Sequence, residues 1–160
     1  MNKIGYKVAI TLLCLLHLFL GLNGLAGGIL LIIKPDGSLL GMNVDWLNRS
    51  PFESYLIPGI LLAFFPGVVP LVTFLGLIIK KNWRFANLFN IYRNRYWAWS
   101  FSLYSGIIAI TWITVQLILT QYFWIQPVII FIGLLILILT LVPEVMNRFE
   151  LHSGLSSMKQ

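Results

Sequence analysis

Charge is missing from three long stretches of this chain, and that absence limits its fold more than any motif does. No Asp, Glu, Lys or Arg lies between Lys7 and Lys34, between Glu53 and Lys80, or between Arg95 and Glu144. The first two runs hold 26 residues each (8–33 and 54–79), and the third holds 48 (96–143). A bilayer-spanning helix needs about 20 apolar residues. The first two runs therefore take one helix each, and the third takes two helices and a tight turn. Of the 160 residues 59% are hydrophobic and 10% charged. A water-soluble fold of this size has too little polar surface to cover so much apolar surface.

The spacing predicts helices over 8–33, 51–79, 97–120 and 127–145. The expected fold class is all-α, an integral membrane four-helix bundle running up-down-up-down. Residues 1–160 form a single membrane domain, with no internal repeat. The tight turn falls at Tyr122-Phe123-Trp124-Ile125-Gln126-Pro127, where aromatic rings suit a membrane–water interface and Pro127 suits a first helical turn. Ser50-Pro51-Phe52-Glu53 reads as a capping box that starts the second helix at 51.

Orientation follows the basic residues. Lys3, Lys7, Lys80, Lys81, Arg84, Arg93, Arg95, Arg148 and Lys159 fall on one side, and Lys34 and Arg49 on the other. The positive-inside rule then places both ends in the cytoplasm, with residues 34–50 outside and with 80–96 and the 146–160 tail inside. The expected location is the inner membrane, with several passes. A rival reading makes Met1–Ala26 a cleaved signal peptide. The apolar run continues through Ile33, longer than the usual h-region of about 7–15 residues, so an uncleaved anchor is preferred.

The +6 formal charge does not point to nucleic acid. The basic stretch Lys80–Trp99 interleaves cations with Trp83, Phe85, Phe89, Tyr92, Tyr96, Trp97 and Trp99. Such a mixture fits single strands, but it also fits a headgroup-level segment meeting anionic lipid, and the second reading is preferred. The lone Cys14 permits no internal disulfide and no CxxC motif. Residues 36–47 combine a turn, Pro35-Asp36-Gly37, with apolar side chains and suit a lid on the outer surface.

Polar groups and helix breaks at membrane depth are the candidate site, because they are costly there. The residues singled out for ligand binding are His17, Asn23, Pro66, Trp112 and Gln116. His17 lies roughly 14 Å along the first helix, on one face with Gly21, Gly24 and Gly28. A structural hydrogen bond competes with a proton, quinone or ligand role for it. Asn23 and Gln116 both fall in the outer half, at reach of each other, as helix glue or as a ligand site. Pro58-Gly59, Pro66-Gly67 and Pro70 interrupt the second helix, as plain kinks or as a broken-helix binding site. Ser102, Ser105, Ala109, Trp112 and Gln116 share a stripe on the third helix. Glu144 reads as interfacial.

Several stretches also carry a resemblance. They are Lys34-Pro35-Asp36-Gly37-Ser38-Leu39-Leu40-Gly41-Met42, Ser50-Pro51-Phe52-Glu53-Ser54-Tyr55-Leu56-Ile57-Pro58-Gly59, and Trp112…Gln116…Gln126 with Gly133 and Pro143. Together they resemble uncharacterised small four-span bacterial inner-membrane proteins. The resemblance covers most of the chain. It implies a four-helix inner-membrane protein and says nothing of chemistry.

Paired carboxylates, a nucleophile–base set, a metal cluster and a phosphate loop are all absent from the sequence. The expectation is a non-enzymatic bundle that binds lipid, a membrane protein partner or a second copy, with no cofactor, no metal and no nucleic acid. A carrier for a small apolar ligand, using the broken second helix with His17 and Gln116, is the alternative. A membrane enzyme acting on lipid or isoprenoid through His17 or Glu144 is a second one.

Overall fold

A computed structural model describes residues 3–151. Lys159 and the rest of the 152–160 tail lie outside the described residues. Helix α1 is Lys3–Ile33, α2 is Leu56–Ile79, α3 is Arg84–Leu88, α4 is Trp97–Leu119, α5 is Ile125–Leu141 and α6 is Pro143–Arg148. Two short 3-10 turns, Ser38–Leu40 and Val44–Leu47, lie between α1 and α2. The protein is all-helical, with no strand among the described residues. Helices α1, α2 and α4 are long and apolar enough to cross a membrane. Helix α5 is apolar but has 17 residues, roughly 26 Å of rise.

The α1–α2 contact is built on glycine. A Cβ added to Gly24 would lie 2.6 Å from the Pro66 carbonyl, and one added to Gly28 would lie 2.5 Å from the Ala63 nitrogen. Only hydrogen fits at such points, so the two backbones touch and dispersion contacts accumulate along the seam. Pro66 is accommodated without an unwound gap. Residues Ala63–Val68 widen into a π-helix, in which the Val69 N–H donates to the Phe64 carbonyl, five residues back. One wide turn absorbs the clash a proline makes in an α-helix.

Helices α4 and α5 form an antiparallel hairpin. Gly106 and Gly133 let them approach, the Ser102 and Thr140 hydroxyls are 2.6 Å apart, and Trp99 Nε1 donates to the Thr140 carbonyl at 2.9 Å. At the end of the hairpin away from its turn, the Lys81 carbonyl accepts from Tyr96 Oη at 2.7 Å and from Trp97 Nε1 at 3.1 Å. The end of the described chain closes back through an antiparallel bridge between Arg95 and Glu150. The largest core cluster sits in this half of the molecule and includes Leu13, Leu77, Trp97, Trp99 and Ile136.

Several boundaries differ from the sequence expectation, beginning with α1, which starts at Lys3 and not at 8. The second long helix starts at Leu56, five residues after 51. Ser50 Oγ does accept a bond, from the Phe52 N–H at 3.2 Å, but this closes a local turn and caps no helix. Tyr55 sets the later start: its N–H donates to the Pro35 carbonyl at 2.8 Å and its ring is buried. Pro58 therefore falls in the first turn of α2, where a missing N–H leaves nothing unbonded, and it breaks nothing. The fourth long helix covers 125–141 instead of 127–145. Val142 turns extended (φ −57°, ψ 128°) because Pro143 disfavours the α conformation just before it. Helix α6 then starts afresh.

Candidate functional site

A cavity of about 280 Å³ lies between the start of α2 and the end of α4. Leu61 and Leu62 of α2 face Trp112, Val115, Gln116 and Leu119 of α4 across it. Met42 and Leu47 of the α1–α2 connection cover it, together with Phe52. The cover is held at both ends by Tyr55. Besides its N–H bond to Pro35, the phenol donates to the Asn43 carbonyl at 2.9 Å. Gly37, in the left-handed region at φ 79°, packs where a Cβ would sit 2.9 Å from the Tyr55 ring, so a side chain there would push the cover away.

The walls are mostly apolar, and the polar groups are few and specific. Gln126 is buried and committed: its Oε1 accepts from the Phe123 N–H at 3.0 Å, which fixes the α4–α5 turn. Gln116 is half-buried, and its side-chain amide makes no hydrogen bond among the described residues. The indole N–H of Trp112 is buried and likewise has no partner there. An unbonded buried donor costs about 1–3 kcal/mol. The half-buried Gln116 amide, in a cavity lined mostly by apolar side chains, suits a ligand that is apolar over most of its length and bears a hydrogen-bond acceptor.

Comparison of the chain with protein-family models, with curated proteins and with solved structures finds no match. The site therefore rests on its own geometry.

Of the five residues singled out from sequence, the structure brings two together, Trp112 and Gln116. Asn23 is not beside Gln116. It is exposed on α1, and its Nδ2 donates to the Phe19 carbonyl one turn back at 2.8 Å, so the expected Asn23–Gln116 bond is not made. An amide on a helix satisfies itself most cheaply on its own backbone. Pro66 is buried against Gly24 and lines the α1–α2 seam.

His17 is completely buried. Its Nδ1 lies 2.8 Å from the Leu13 carbonyl, so Nδ1 carries the proton, and Nε2 has no partner among the described residues. It does not line the cavity. The register that sets Gly21 on Leu71 and Gly24 on Pro66 puts His17 within a turn of Thr73. Thr73 Oγ1 lies 3.4 Å from Ser105 Oγ, and both are fully buried. Thr73 was missed in the sequence because it is the single polar residue in a run broken by prolines. Its place one helical turn after Val69, whose carbonyl accepts its hydroxyl at 2.8 Å, was the available signal.

Also overlooked was Tyr55, which anchors the cover. Glu144 lies in the first turn of α6, and a bond from its own backbone N–H is the main cause holding its carboxyl below the ordinary range. A carboxyl held ionised is ill suited to donate a proton near neutral pH.

Proposed function

We propose that this chain is a four-span inner-membrane protein, with both ends cytoplasmic, that holds one apolar molecule in its outer cavity and does no chemistry on it. The ligand class is a lipid acyl or isoprenoid chain with an oxygen acceptor. Size supports a single chain: 280 Å³ is close to the lower bound of ligand pockets, roughly 300–1,000 Å³. The observation that carries the reading is the cavity itself, lined mostly by apolar side chains, with the half-buried Gln116 amide making no hydrogen bond among the described residues.

The four-span disposition is supported by three long apolar helices and by α5, whose roughly 26 Å approaches the ~30 Å hydrocarbon thickness. It is also supported by the excess of lysine and arginine at one end.

Two measurements test the proposal. Mass spectrometry of solvent extracts from the purified protein should find one apolar compound per chain, retained by the parent and reduced at least tenfold in Val115→Phe, which fills the cavity. A parent that carries nothing, and takes up no added lipid or isoprenoid alcohol, sinks the binding role. Reporter fusions at the two termini should both report cytoplasm, and opposite locations would sink the topology.

A further inference from the structure

The inner half of the molecule holds a second groove, of about 430 Å³. Its surface is apolar throughout. Phe64, Phe65 and Val68 of α2 form one wall, and Phe101 and Ile108 of α4 the other. The segment after α2 closes its inner mouth with Trp83, Phe85 and Phe89, whose rings are 47%, 61% and 57% exposed.

Three features of this mouth stand together. First, it is fixed in place. The Tyr104 hydroxyl donates to the Phe89 carbonyl and accepts from the Ile91 N–H, both at 3.2 Å, and the Lys81 carbonyl is tied to α4 by Tyr96 and Trp97. Second, two exposed cations adjoin its lining residues along the chain. Arg84 sits between the mouth residues Trp83 and Phe85. Lys81 borders a neighbouring hollow that shares Trp83. Both side chains are exposed, and neither makes a hydrogen bond or ion pair among the described residues. Third, the groove runs a set distance from that charge. Phe65 lies roughly 21 Å from the inner end of α2, and Ile108 roughly 17 Å from that of α4, at 1.5 Å per residue. One leaflet of hydrocarbon is about 15 Å, half of the ~30 Å core.

We infer that the groove is a site for one anionic phospholipid of the cytoplasmic leaflet, its acyl chain against α2 and α4 and its phosphate at Lys81 and Arg84. The inference rests on the membrane disposition proposed above, and it is independent of the outer cavity. Charge complementarity selects this occupant. A nucleic acid or an acidic peptide would meet the cations and leave a leaflet-deep apolar groove empty. A zwitterionic lipid would fill the groove and gain little net charge attraction from the cations. An anionic lipid satisfies both, with Trp83 at the headgroup level where indoles are favoured.

The test is a native mass spectrometry titration of the full chain in detergent micelles, with phosphatidylglycerol or phosphatidylcholine of equal chain length. Each surface cation contributes about fivefold. The parent should therefore prefer phosphatidylglycerol about thirtyfold. Lys81→Gln with Arg84→Gln should bring the preference to within about threefold while phosphatidylcholine binding stays unchanged. Val68→Trp, which fills the groove, should weaken both lipids at least tenfold. Ile108→Phe is the second groove variant, and melting temperatures report whether each variant folds. Equal binding of the two lipids by the parent overturns the inference, as does a preference that survives loss of both cations. Displacement of bound phosphatidylglycerol by an oligonucleotide or an acidic peptide also overturns it. Val115→Phe should leave this titration unchanged, which separates a failure here from a failure at the outer cavity.

Discussion

Helix α2 meets its two neighbours in opposite ways. Along its middle it lies backbone to backbone on α1, through Gly21, Gly24 and Gly28 on one side and Gly59 and Gly67 on the other. At its start it stands off α4, where Trp112, Leu61 and Phe52 surround a cavity that no other described residue fills. Small residues remove the space between helices, and large flat ones hold them apart. In a bilayer no hydrophobic gain separates a helix–helix contact from a helix–lipid one, so close packing supplies the adhesion. The seam is thus where stability concentrates, and the cavity is where stability has been given up.

The contrast makes its strongest statement in substitutions that enlarge a residue. Gly24→Leu should cost about 3 kcal/mol or more, because the obstacle is the Pro66 carbonyl, which cannot rotate away. Val115→Phe adds similar bulk at the cavity and should cost less than about 1 kcal/mol. Unfolding titrations in mixed micelles compare the two directly. Equal costs would mean that the seam and the cavity are packed alike.

A smaller effect separates bonds that join helices from groups that await a ligand. Ser102 and Thr140 bridge α4 and α5. Ser102→Ala with Thr140→Val should lose about 1 kcal/mol, within the range measured for such bonds in membranes. Gln116→Leu, at an amide without a partner, should change stability by less than about 0.5 kcal/mol and lower ligand retention. His17→Leu sharpens the point. The imidazole bonds only its own helix, and its Nε2 has no partner among the described residues. Replacing a buried, half-satisfied polar group by an apolar one of similar size is close to neutral or stabilising. A loss above about 2 kcal/mol would show that Nε2 has a partner in the membrane-embedded protein.

What the sequence made legible follows the same division. The three uncharged runs predicted apolar helices, and the glycine face of His17, Gly21, Gly24 and Gly28 predicted a close backbone contact, because both depend on composition and period alone. The register of that contact was not legible, so its meeting with Pro66 and Gly67 was unforeseen, as was the π-helix that makes the meeting possible. The cavity was half legible. Trp112 and Gln116 stood out as polar groups on an apolar helix, and residues 36–47 as a lid. Its other wall depends on where α2 begins, and that is set by Tyr55 reaching back to Pro35 and Asn43. Asn23 misled for a general reason: depth along a helix says nothing about which face a residue occupies.

The smallest expected effect lies in the cover of the cavity. Asp36 accepts from the Ser38 N–H at 2.9 Å, in the turn that sends the chain across the outer end. Hydrogen bonds from the Ser38 side chain, and next from its backbone, hold the Asp36 carboxyl below its ordinary value. A depressed pKa means that the ionised form steadies the folded turn. This contribution is complete above the ordinary aspartate value of about 3.9 and is lost as pH falls through the lower folded value. Between pH 7 and 5 the turn should be insensitive to acid. Below about pH 4, protection of the Ser38 amide, taken relative to the intrinsic exchange rate at each pH, should fall in the parent and stay flat in Asp36→Asn, whose side-chain oxygen accepts without titrating. The carboxylate is fully exposed, so water screens the effect and the seam around Gly24 should not register it. Acid that loosened the seam and the cover together would mean that the two regions share one cooperative unit, and the division between them would fail.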